Sequence, residues 1–169
     1  LHYAEKANTK PPKLLAKLGI SEFVSGNFRY GIDLLEQSLK IQERPQTYTQ
    51  LVKLYARVGD LESAERYKRR GVHLCNQLKE RQGWGVWPEL FAAQMRAYVL
   101  EAQGRFAEAE KYYRKNQRTL SASIREQYPI VSLVNGIYLA RNLKRQGHLL
   151  EAELEARQAL KDVVGYGGK

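Results

Sequence analysis

The residues best suited to chemistry are few and poorly placed for it. His73 and Cys75 stand two apart, which on a helix turns them to different sides, and no further His or Cys lies nearby to complete a metal site. Cys75 is the single cysteine, so an internal disulfide and a thiolate zinc cage are both excluded. His2 and His148 have no partner placed by spacing. Glu151 and Glu155 share a helix face as a like-charged pair, which implies no acid–base geometry. The terminal Gly165-Tyr166-Gly167-Gly168-Lys169 lacks the four-residue interval of a phosphate loop. Neither catalysis nor a metal nor a cofactor is expected, and what remains is the chemistry of recognition, cations and aromatic rings.

The cations are abundant: 28 Lys and Arg against 18 Asp and Glu give a formal charge of +10 over 169 residues. Split after residues 60, 85 and 128, the charge divides as +3, +3, +2 and +2. Nucleic-acid binders concentrate their excess into a stripe, so this even spread points away from nucleic acid. Even the densest run, Lys68-Arg69-Arg70, reads as a solvated helix face. Trp84 and Trp87, in Gly83-Trp84-Gly85-Val86-Trp87-Pro88, are candidate anchors for a partner, although loop rings tucked over a helix pair are commoner. Tyr67, Tyr112 and Tyr113 have the spacing of core contacts rather than of a stacking platform.

Four segments repeat one short phrase: Ser25-Gly26-Asn27-Phe28, Val58-Gly59-Asp60-Leu61, Gln103-Gly104-Arg105-Phe106 and Gln146-Gly147-His148-Leu149. The glycines fall 33, 45 and 43 residues apart. Each stands between two helical patterns, where it closes the first helix in a left-handed conformation. Five residues after it comes a small residue, Gly31, Ala64, Ala109 or Ala152, and seven before it comes Gly19, Val52, Ala97 or Ala140. Small residues flanking a turn let two antiparallel helices cross closely. Leu18, Leu51 and Leu139, with Tyr55, Leu100 and Leu143, complete an apolar stripe at helical spacing. Glu22 and Arg96 interrupt it, so their repeats are expected to be bent or differently registered.

These residues resemble the tetratricopeptide repeat family, most closely over Leu51 to Gly71 and Ala97 to Tyr113. The longer intervals resemble the arrays of kinesin light chains and of bacterial proteins that couple such arrays to a caspase-like effector. No protease residues are present, so that likeness concerns the scaffold alone. The resemblance implies an all-α fold, a right-handed superhelical array of antiparallel hairpins. The expected organisation is a single repeat domain over 1–169: the tail of a preceding repeat in 1–12, repeats at 13–44, 45–82, 87–128 and 129–164, and a loop or linker at 165–169. Long second helices are expected from Leu61 to about Gln82 and from Phe106 to about Gln127, and Pro88 suits a first helical turn. The opening Leu1 and the glycine-rich end suggest an excised fragment.

In such arrays the first helix of each hairpin lines the concave face. Counting back from the turn glycines places Lys53 and Arg57, then Gln94 and Tyr98, then Arg141, Lys144 and Arg145 along a groove that is basic over most of its length and apolar where Ala16, Ile20 and Phe23 fall. The expected function is a non-catalytic scaffold binding a protein or peptide, acidic and amphipathic, or another domain of the same chain. The Lys and Asn set with which some family members hold a C-terminal carboxylate is not reproduced. The alternative is a single-stranded RNA binder resembling pentatricopeptide repeats, for which Thr47 to Leu61 could pass as one unit, but that family keeps a nearly constant interval. Self-association through exposed terminal repeats is a third expectation. No stretch approaches the roughly 20 apolar residues of a membrane span, and a cytoplasmic location is expected.

Overall fold

The computed structural model describes residues 10–164. The expected tail at 1–12 falls almost wholly, and the loop at 165–169 wholly, outside the described residues.

Proline and glycine punctuate the chain in alternation. Pro12, Pro45, Pro88 and Pro129 each stand in the first turn of a helix, where the missing N–H would have had no intrahelical partner. These helices are α1 (Pro12–Val24), α3 (Pro45–Val58), α5 (Trp87–Ala102) and α8 (Pro129–Arg145). Each runs to one of the four turn glycines, Gly26, Gly59, Gly104 and Gly147, all at positive φ between 76° and 96°. After the turns come α2 (Phe28–Ile41), α4 (Leu61–Lys79), α6 (Phe106–Thr119) and α9 (Leu149–Val164), and a six-residue α7 (Ala122–Gln127) precedes α8.

The result is an all-α array of antiparallel hairpins in which α1 packs on α2, α3 on α4, α5 on α6 and α8 on α9. Neighbouring hairpins meet where α2 packs on α3, where α3 and α4 pack on α5, and where α6 packs on α8. The small residues on either side of each turn are buried in every hairpin. In the first, backbone lies against backbone: a Cβ added to Gly19 would lie 2.6 Å from the carbonyl oxygen of Gly31, and one added to Gly31 would lie 2.6 Å from that of Gly19. One buried cluster, including Leu35, Tyr48, Leu51 and Met95, runs through the first three hairpins, and a second, including Tyr113, Leu139 and Leu143, joins the third to the fourth.

The interruptions in the stripe are absorbed locally. Glu22 accepts a hydrogen bond from the Asn27 amide at 2.7 Å, and the Arg96 guanidinium lies 5.9 Å from the centre of the Tyr112 ring. The long second helix expected to reach Gln127 instead stops at Thr119. Leu120 leaves helical geometry and buries its side chain, and the Ser121 hydroxyl then caps α7 by accepting from the Ile124 N–H. Arg125 donates to the carbonyls of Leu120 and Gln117, both at 2.8 Å, and so satisfies acceptors that the break exposes. No helix is long and apolar enough to cross a membrane, among the described residues.

Candidate functional site

The three later first helices present the same register to one space. Lys53, Ala56 and Arg57 of α3, Tyr98, Glu101 and Ala102 of α5, and Arg141 and Arg145 of α8 surround a cavity of about 350 Å³. Spacings of three and four residues put each set on one helical face. The cavity therefore gathers Lys53, Arg57, Tyr98, Arg141 and Arg145 from the sequence-expected groove. Gln94 is half-buried one turn before Tyr98, Lys144 is exposed on α8, and neither lines the cavity.

Aromatic faces support all four cations. Arg57 lies 5.8 Å from the centre of the Phe23 ring, and Arg145 lies 5.6 Å from that of Phe106. Lys53 and Arg141 lie 5.5 Å and 5.0 Å from the centre of the Tyr138 ring. Such contacts hold a cation in place without neutralising it. Tyr138 also meets Tyr98 edge-on, with ring centres 5.5 Å apart, and stacks towards Tyr113 at 6.1 Å. Burial works against ionisation of Tyr138, but bonding to Lys53 and Tyr98 and the charges of Lys53 and Arg141 hold its hydroxyl below the usual phenol range. Tyr98 is pushed well up, by burial first and by Tyr138 next.

The one carboxylate lining the cavity is Glu101, only 7% exposed. It accepts from the Arg141 guanidinium at 2.9 Å and from the Asn142 amide at 3.0 Å. Four cations against one carboxylate leave the cavity walls with a formal +3. Among the described residues, neither Lys53, Arg57 nor Arg145 forms an ion pair.

A second cavity, of about 300 Å³, lies between Ala16 and Ile20 of α1 and Gln46 and Gln50 of α3, with Lys13, Lys17 and Arg44 also lining it. Gln46, Gln50, Lys53 and Arg57 follow one another along a face of α3, so that helix is a wall common to both cavities. Eleven residues separate Gln46 from Arg57, a helical rise of roughly 16 Å.

Trp87 opens α5, where its ring stacks on Phe91 with centres 6.3 Å apart and meets Tyr128 edge-on at 5.0 Å. Trp84 is half-buried in the preceding loop, its carbonyl accepting from the Trp87 N–H at 3.2 Å. Trp87 begins α5 and Glu101 lies in its last turn, so both Trp sit at the end of the helix away from the cavity. Trp87 thus packs the start of the third hairpin against the segment leading into the fourth. Cys75 lies in the core, where burial raises its thiol to about 11, while exposed His73 meets the Gln77 amide at 3.0 Å. No group of three His, Cys, Asp or Glu able to hold a metal occurs among the described residues.

The sequence pattern passes over Tyr138, which stands nine residues before its turn glycine. At that register the other hairpins carry Lys17, Gln50 and Met95, with no common chemistry to draw attention to it.

No family model and no curated protein matches the chain. Among solved structures, MamA AMB-1 is similar over 94% of this chain and 83% of that chain, at 19% identity and a TM-score of 0.48.

Proposed function

We propose that the array is a non-catalytic protein-interaction scaffold. It takes an acidic, amphipathic segment of another protein, or of another part of its own chain, along the face of its first helices. The anionic part of the segment sits in the cavity between α3, α5 and α8, and its apolar part sits against Ala16 and Ile20. The observation that carries this reading is the convergence of Lys53, Arg57, Arg141 and Arg145 on one cavity with a single, already engaged carboxylate. An excess of one sign in a concave site draws ligands of the other sign and disfavours the rest.

The test is the double variant Arg57→Glu, Arg145→Glu, measured by fluorescence anisotropy with a labelled library of acidic peptides. Binding is expected to disappear while the far-UV helical signal is unchanged. Unaltered affinity would remove the reading. Arg141 is left intact because it holds buried Glu101, and a glutamate there would set two carboxylates against each other.

The long-repeat likeness to kinesin light chains and effector-coupled bacterial arrays belongs to the same proposal, as arrays whose business is partner capture. A second contact surface is offered by α9, where Leu150 and Leu154 stand one turn apart at 73% and 59% exposure. Self-association through that end would show as a concentration-dependent sedimentation coefficient that Leu150→Glu, Leu154→Glu abolishes.

A further inference from the structure

We infer that the anion suited to the cavity between α3, α5 and α8 is a phosphoryl dianion on a peptide side chain, phosphoserine or phosphothreonine. The inference rests on the peptide-binding reading above and narrows its ligand.

Charge is the first argument. The cavity walls carry a formal +3 after Glu101 is counted. A single carboxylate offsets one of these charges, whereas a phosphoryl group brings about −1.5 to −2 at neutral pH together with three acceptor oxygens.

Donor type is the second. Three of the four cations are arginines, whose planar forks match phosphoryl oxygens two at a time. Only the Arg141 fork is engaged, through one nitrogen, to Glu101.

The third argument is how the cations are held. Arg105, Arg157 and Arg114 are neutralised in place, by Glu108, by Glu153, and by Glu110, Glu151 and Glu155. Lys53, Arg57 and Arg145 are held instead against the Tyr138, Phe23 and Phe106 rings. The cations are positioned, yet an incoming anion has no counter-charge to displace from Lys53, Arg57 or Arg145.

The same rings argue for a peptide source over a nucleic acid. Binding a base strand needs open aromatic faces. Tyr98 is 6% exposed and Tyr138 already carries two cations, so neither offers such a platform. The cavity volume of about 350 Å³ admits one phosphoryl group with its side chain, not a run of nucleotides.

The experiment uses the full chain and three fluorescein-labelled degenerate peptide libraries that differ only at a central serine, phosphoserine or glutamate. Inorganic phosphate and an oligouridylate serve as further probes. The phosphoserine library is expected to bind about tenfold or more tightly than the glutamate library. Arg57→Gln, Arg145→Gln should erase that preference without moving the thermal midpoint. Equal binding of the glutamate and phosphoserine libraries overturns the phosphoryl assignment while leaving the acidic-peptide reading in place. Failure of both libraries to bind overturns both. Inorganic phosphate competing at the same concentration as the phosphopeptide overturns the peptide source, and tighter binding of oligouridylate overturns it in favour of nucleic acid.

Discussion

The ammonium of Lys53 rests 5.5 Å from the centre of the Tyr138 ring, a contact that runs from the first helix of the second hairpin to that of the fourth. Arg141 lies against the same ring, and Tyr98 of the intervening hairpin meets its edge. One side chain thus ties three hairpins together on the side where the cavity opens. Tyr138→Ala should cost about 3 kcal/mol in urea unfolding, towards the low end for a large aromatic because the ring is half-buried. Tyr138→Phe, which keeps the ring and loses only the hydroxyl, should cost about 1 kcal/mol or less.

The first hairpin depends on missing side chains. Alanine at Gly19 would normally favour a helix by about 1 kcal/mol. Here its Cβ would stand 2.6 Å from a backbone carbonyl, which cannot swing aside as a side chain can. Overpacking of this kind costs about 1–3 kcal/mol, so Gly19→Ala should lower the denaturant midpoint despite the better propensity. Gly26→Ala meets no atom within 4 Å and should suffer only from its backbone, at φ 96°. A larger loss at Gly26 than at Gly19 would contradict this account of the crossing.

Removing Arg141 should differ from removing its neighbours. Arg141→Ala leaves buried Glu101 with Asn142 as its remaining hydrogen-bond donor. The expected loss is about 1–3 kcal/mol, less than for a fully buried pair because the Arg141 side chain is 43% exposed. Arg57→Ala and Arg145→Ala, whose heads are exposed, should stay within about 0.5 kcal/mol of wild type. Parallel thermal melts of the three variants make the comparison.

Acid should weaken the second hairpin at a defined place. Asp60 caps α4 by accepting from the Ser63 N–H at 3.0 Å, and that bond holds its carboxyl below the ordinary 3.8. A depressed folded value means that the stabilisation is present above the unfolded value and is lost as pH falls through the folded one. Asp60→Ala should cost about 1 kcal/mol at pH 7. Asp60→Asn, which keeps a capping oxygen but not the charge, should narrow its deficit to wild type as pH drops below the carboxylate range.

The hairpins were legible because their signals are local. A glycine at positive φ and small residues seven before and five after it are fixed by steric exclusion, and Gly19 and Gly31 meet as that spacing requires. Proline in the first turn of α1, α3, α5 and α8 is an equally local signal. The break at Leu120 was not legible, because it depends on a buried side chain and on carbonyls that Arg125 satisfies from the next segment. The same limit explains the site. Positions of Lys53, Arg57, Tyr98, Arg141 and Arg145 follow from helical register alone, whereas Tyr138 owes its place to how far one hairpin curls over another. Register alone has its limit too: Thr49, ten residues before its turn glycine as Gln94 is, is buried and returns its hydroxyl to the Pro45 carbonyl at 2.8 Å.

Resting cations on hydrocarbon rings has an outcome for acid response. Carboxylate counter-ions would fade as the medium is acidified and so alter the field around each arginine. Phe23 and Phe106 carry no proton to gain, and Arg57 and Arg145 keep their charge throughout. The attraction these two exert is consequently flat from mildly alkaline to mildly acidic solution. Any sensitivity to acidity between those limits is inherited from whatever arrives.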